Sequence, residues 1–252
     1  MKDAAERGAG IMSAMRPSLD DIARRVSESQ RAVGLLLYGS YATGETAPDS
    51  DVDLICVTKS QRARHTTVNV GGIVVDIYAS TRPLLEQAIR SDKGTNDNFV
   101  LEAFAHGRAL ITGDGSTQAL MSLAREVWEA GPSQPGPDEQ RSIASAVQKA
   151  VVAARKFAAG AGKSPEWRGM ANVELSHLFV HTVHAYCRVH RLWASTIWGM
   201  LRWTTPQYFD LIAMCRRYLR AETLEGRVSA LADIADVTLG RISLDIGSNF
   251  FR

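Results

Sequence analysis

Seven residues, Gly131-Pro132-Ser133-Gln134-Pro135-Gly136-Pro137, divide this chain into two parts that cannot share one architecture. Three prolines and two glycines in that stretch neither continue a helix nor sit inside a sheet, because proline lacks the amide donor and glycine resists ordering. Before the break, short apolar runs of strand length alternate with helical patterns. After it, every apolar pattern has the helical period: Asp138 to Ala159, Ala171 to His190, Pro206 to Leu219 and Thr223 to Leu239. The expected fold class is α+β, a mixed sheet flanked by helices followed by an all-α helical bundle. The expected domains are residues 1–130, a linker at 131–137, and residues 138–252.

The front half carries the chemistry. Ser18 to Gln30 has the pattern of an amphipathic helix, with Ser18 as N-cap and Asp20-Asp21 in its first turn. Val33 to Tyr38 is a continuous apolar run, the mark of an interior strand covered on both faces. Gly39-Ser40 follows it directly, then a short helix over Tyr41 to Thr46. Asp51 to Val57 predicts a second strand, with Asp51, Asp53, Ile55 and Val57 on one face. Val68 to Tyr78, broken by Gly71-Gly72, predicts a hairpin whose second arm holds Asp76 among apolar neighbours. Helices are expected over Arg82 to Arg90, Asn98 to His106 and Ser116 to Ala130, with a short edge strand at Ala109 to Ile111.

Three carboxylates, Asp51, Asp53 and Asp76, thus fall on or beside strands. Like charges held side by side are costly unless a cation sits between them. Mg²⁺ is the expected cation, because it takes carboxylate oxygens together with substrate phosphates. Asp-x-Asp alone is more often a solvated turn. Here it opens the run Leu54 to Val57, where a solvated turn should not continue, and the third aspartate lies in another apolar strand.

Gly39-Ser40-x10-Asp51-x-Asp53, with a later strand carboxylate, resembles the signature of the DNA polymerase β-type nucleotidyltransferase superfamily. Within it the chain is similar to minimal bacterial nucleotidyltransferases and to aminoglycoside (3″-type) adenylyltransferases, most clearly over residues 30–112. The resemblance implies a nucleotidyltransferase fold for the first half, with Asp51 and Asp53 as Mg²⁺ ligands and Gly39-Ser40 as the turn that holds the triphosphate. Asp76 takes the place of a third carboxylate, as metal ligand or as general base. Glu174, in the helical half, is the other candidate base. The implied reaction is transfer of AMP from ATP to a hydroxyl, first of all that of an aminoglycoside-like antibiotic bound by the helical domain. The alternatives are AMPylation of a protein, as by antitoxin-type relatives, and a nucleotide-sensing module without turnover.

Charge is unevenly divided: residues 1–137 carry a net −3 and residues 138–252 a net +5. An acidic front half suits cation binding, and a basic back half weighs against a polycationic acceptor. Cys56, Cys187 and Cys215 are widely spaced and odd in number, so a reducing cytoplasm is expected. No apolar run approaches the length of a membrane span. Neither a membrane nor a nucleic acid is expected as a partner. His177, His181 and His184 share a helical face but lack acidic or Cys partners at zinc spacing, so they are assigned to packing or to a substrate cleft. Trp167, Trp193, Trp198 and Trp203 are assigned to packing before base stacking, and Arg216, Arg217 and Arg220 to a solvated helix face. Asp97 and Glu102 are left as possible cleft residues.

Overall fold

The computed structural model describes residues 17–47, 49–59, 62–91, 98–194 and 206–246. Pro48, Asp97, Trp198, Trp203 and the polar stretch Met1 to Gly10 lie outside them. The chain divides into two compact units, one within residues 1–90 and 100–127, the other within residues 91–99 and 128–252.

In the first unit, α1 (Leu19–Gln30) begins at a capping box. The Asp21 amide donates to Ser18 Oγ at 3.1 Å, and the Ser18 amide donates back to the Asp21 carboxylate at 3.3 Å. That satisfies two amides a bare helix end would leave open. β1 (Ala32–Tyr38), α2 (Gly39–Thr43), β2 (Val52–Thr58), β3 (Arg64–Val70) and β4 (Ile73–Thr81) follow, then α3 (Arg82–Arg90), α4 (Phe99–His106), β5 (Arg108–Ile111) and α5 (Ser116–Ala130).

The five strands form one sheet in the order β3-β4-β2-β1-β5. It is mixed: β2 and β4 run parallel, and every other neighbouring pair is antiparallel. Alternation along the strands sends Leu35, Leu37, Val52, Leu54, Cys56, Val75, Ile77 and Ala79 to one face, where they pack with Ile22, Ala23 and Val26 of α1. Leu36, Ile55 and Val57 point the other way and are fully buried as well. Both faces are covered, which is why β1 and β2 read as unbroken apolar runs rather than alternating ones.

Several boundaries differ from the sequence expectation: the hairpin begins at Arg64, the helix expected from Ala171 begins at Pro165, the last helix runs on to Ile246, and two more differ beside the aspartates. β2 opens at Val52, so Asp51 precedes the strand. Its neighbours end there: β1 pairs only as far as Tyr38 with Asp53, and β4 only as far as Val75 with Val52. The short helix starts at Gly39, two residues earlier than expected, because the chain turns immediately off the end of β1.

The second unit is helical throughout its described residues: α6 (Pro137–Gly160), α7 (Pro165–Val189), a single 3-10 turn (Pro206–Tyr208), α8 (Phe209–Arg220) and α9 (Leu224–Ile246). Its core joins Leu175, Phe179 and Val183 of α7 to Leu211 and Cys215 of α8 and Leu231 and Ile234 of α9. The Gly/Pro segment ahead of α6 is not a free tether. The Trp128 carbonyl accepts from the Trp193 indole at 2.8 Å, and the Pro132 carbonyl from Arg191 Nε at 3.1 Å. Arg188 donates to the Ser133 carbonyl while gripping Glu139 through two nitrogens, at 2.7 and 3.0 Å. The segment forms no repeating structure, yet side chains at the end of α7 hold it. Trp193 is buried and stacks on Trp128, which makes it a packing residue. Trp167 is partly exposed beneath the Lys163 ammonium. No helix among the described residues is long and apolar enough to cross a membrane.

The tightest packing constraint in the sheet is Gly34, where a Cβ would stand 2.0 Å from Oγ1 of the buried Thr117. Gly34→Ala is expected to destabilise the protein by about 1–3 kcal/mol. Chemical denaturation of Gly34→Ala, Thr117→Ala and the double variant checks this. The double variant should cost less than the sum of the two singles, because Thr117→Ala removes the clashing hydroxyl.

Candidate active site

Register places the site. Tyr38 of β1 pairs with Asp53 of β2, Asp53 with Asp76 of β4, and Asp76 with Thr67 of β3. Residues paired across a ladder share a face, so these four side chains form one row across four strands. It is a row on the face that also carries Ile55 and Val57, at the end of β2 where the chain enters the strand.

The two aspartates in the middle of the row stand directly opposite each other on a parallel pair. Asp53 is half-buried, and its carboxyl is pushed up to about 6, first by burial and then by the charges of Asp51 and Asp76. The Tyr38 hydroxyl is raised too, by burial and then by Asp53, Asp76 and Asp51 in that order. Asp51, exposed in the loop before β2, therefore acts on the same two groups as Asp76. The structure brings the three aspartates into one electrostatic neighbourhood.

Gly39 closes one side of it. Its φ is +67°, in the left-handed region, and a Cβ there would lie 2.1 Å from Oδ2 of Asp53. Only glycine satisfies both demands. The chain turns into α2 at this point with no side chain capping its first amides. Ser40 is half-buried in that turn, and its carbonyl accepts from the amide of Glu45 at 3.1 Å.

Asp76 carries two partners that sequence reasoning missed. His65 Nε2 lies 2.7 Å from Oδ2, and the Thr67 hydroxyl donates to Oδ1 at 2.9 Å. The hairpin itself held the signal. A two-residue turn at Gly71-Gly72 fixes every pairing along both arms, which sets Thr67 opposite Asp76 and His65 opposite Tyr78. Tyr38, the last residue of β1, was missed as well.

The remaining candidates are on helices. Glu174 is half-buried on α7 in the second unit. His177 and His181 are exposed on the same helix, and His184 is half-buried. Glu102 is half-buried on α4.

Among the described residues no three His, Cys, Asp or Glu side chains already form a group arranged to hold a metal. The donors present nonetheless fit Mg²⁺, an ion usually held by one or two carboxylates with substrate phosphates and water completing its shell. Asp53 and Asp76 are hard oxygen donors at paired register positions, and the charges of Asp51 and Asp76 both act on Asp53, which a cation would offset.

Residues 19–107 match the family model of the nucleotidyltransferase domain, and the matched span covers α1, the acidic row and Gly39. Residues 19–107 are a nucleotidyltransferase domain. It is of the DNA polymerase β type, and its general activity is nucleotidyl transfer from a nucleoside triphosphate. A nucleotidyltransferase-like protein from Exiguobacterium sibiricum, known from a crystal structure, is similar to the chain at 12% identity, over 93% of this chain and 81% of that one, with a TM-score of 0.43. No curated protein matches the chain.

The raised carboxyl of Asp53 sets a pH dependence for the metal-free nucleotidyltransferase domain. Its folded-state value lies above the ordinary 3.8, so the fold prefers the protonated form. The stability this contributes is full below about pH 4 and is lost as pH rises through about 6. Asp53→Asn removes that loss. With solvent screening allowed for, its melting temperature should exceed wild type by roughly 2–4 °C at pH 8 and not at pH 4. Thermal melts in chelator at the two pH values check it.

Proposed function

We propose that the protein is a Mg²⁺-dependent adenylyltransferase that moves AMP from ATP to an acceptor hydroxyl. The observation that carries this reading is the register-paired Asp53 and Asp76, with the charge of Asp51 acting on Asp53 and the Gly39 backbone pressed against it. In this reading Asp51, Asp53 and Asp76 hold the cation, and the uncapped amides at Gly39-Ser40 receive the triphosphate. Bound there, Mg²⁺ would offset charge on the phosphates and on the leaving pyrophosphate. The acceptor oxygen bonds to the α-phosphorus as the bond to the β-phosphate oxygen breaks. Asp76 takes the hydroxyl proton, and Glu174 is the second candidate for that role. Three free, buried thiols suit a reducing cytoplasm.

For the acceptor, an aminoglycoside-like antibiotic is the first choice, on the resemblance of the catalytic motif. A specific observation favours a second reading, AMPylation of a protein with an acidic surface. Arg216, Arg217 and Arg220 line a cleft of about 620 Å³ in the helical unit, together with Ala213, Ala221, Gly226 and Ser229. Only Arg217 is paired among the described residues, with Asp233. Such a lining suits carboxylates or phosphates and repels the ammonium groups of an aminoglycoside.

The test is pyrophosphate release from ATP with Mg²⁺ across a panel of aminoglycosides and acidic proteins, with product mass read alongside. An added mass of one AMP unit is expected on one class of acceptor. Asp51→Asn and Asp53→Asn should each lower turnover by about a hundredfold or more. Gly39→Ala should do the same by displacing the Asp53 carboxylate. Tight ATP binding with no turnover on any acceptor overturns the reading in favour of a nucleotide sensor.

A further inference from the structure

We propose that His65 and Thr67 are positioning residues that fix the orientation of the Asp76 carboxylate in the acidic row for the cation and nucleotide. The inference rests on the reading of the site given above and adds the part that β3 plays in it.

β3 is an edge strand with an exposed outer face, where polar side chains ordinarily point into water. Two of its alternate residues, on the same face, instead converge on one carboxylate. Thr67 reaches it from directly opposite, and His65 from the diagonal position two residues back. Each takes a different oxygen.

Left alone, Asp76 would not keep this orientation. Its pairing with Asp53 fixes only the backbone, and a partly exposed carboxylate is otherwise free to rotate. The side chain of Asp76 is 22% exposed, so water is within reach. Two hydrogen bonds, one per oxygen, oppose that rotation. They also leave each oxygen a free lone-pair direction for a cation or a proton.

The chemistry of the two donors is as informative as their geometry. A lysine or arginine would tether Asp76 just as well, but its permanent charge would compete with the divalent cation. Among the described residues no lysine or arginine pairs with Asp76. An imidazole N–H and a hydroxyl bind the carboxylate without an obligatory charge. The bland alternative is a cross-strand polar cluster that only steadies the edge, worth about 0.2–1 kcal/mol per pair. That alternative predicts a change in melting temperature and none at the site.

The experiment uses the full chain with the variants His65→Ala, His65→Gln, Thr67→Val and Thr67→Ser. Affinity for Mn²⁺ is read by electron paramagnetic resonance in the presence of a non-hydrolysable ATP analogue, and turnover is measured with the acceptor found above. His65→Ala and Thr67→Val should each weaken Mn²⁺ binding by about tenfold or more and lower kcat, with KM for the acceptor changed by less than about twofold. Glutamine, which keeps an N–H at the position of Nε2, and serine, which keeps the hydroxyl, should recover most of the loss. Wild-type Mn²⁺ affinity and kcat in both His65→Ala and Thr67→Val overturn the tether while leaving the site reading intact. A loss that glutamine and serine fail to recover overturns it too. A wild-type chain that binds no Mn²⁺ alongside nucleotide overturns the site reading, and the tether with it.

Discussion

Two carboxylates held opposite each other on neighbouring parallel strands are the constraint on which this structure turns. The pairing of Asp53 with Asp76 follows from the ladder between β2 and β4, not from any attraction between the groups. Backbone hydrogen bonding and apolar packing on both faces of the sheet force a contact that electrostatics opposes. Burial, and after it the charges of the neighbouring aspartates, raises the carboxyl of Asp53 and the hydroxyl of Tyr38 next to it.

What surrounds the pair serves it. Gly39 brings the backbone against Asp53 where any side chain would collide with the carboxylate, so the turn that starts α2 and the acidic row are built as one piece. On the far side, β3 packs Val68 and Val70 against the core with one face and carries polar side chains on the other. Its part is to complete the row with Thr67 and to bring His65 within hydrogen-bonding distance of Asp76. The core beneath, from Leu54 and Ile77 to Ile22 and Val26 of α1, is what keeps the strands in this register.

The helical unit has a different logic. Its helices bury an apolar core, and the Gly/Pro stretch ahead of α6 is secured at its carbonyls by Arg188 and Arg191. Composition alone describes that stretch as a break in repeating structure, which it is. It says nothing of the two side chains, over fifty residues away, that fasten it. Arg216, Arg217 and Arg220 read from sequence as a solvated helix face that could meet an anion, and what stayed hidden was the opposite wall of their cleft, Gly226 and Ser229 at the start of α9.

The elements themselves were legible in the residues. Unbroken apolar runs announced strands covered on both faces, Ser18 announced the start of α1, Gly71-Gly72 announced the hairpin, and three prolines announced the end of the mixed sheet, because each of these signals acts within a few residues of itself. The motif Gly39-Ser40 with Asp51 and Asp53 was readable for the same reason: its members sit close along the chain. Strand order is not local. That β4, and not its hairpin partner β3, lies beside β2 is decided by how the whole sheet packs between its helices, and only that choice sets Asp76 against Asp53. The sequence by itself determined which residues could carry the chemistry. Tertiary structure decided which of them face one another, because register between distant strands is settled by packing that no short stretch of chain contains.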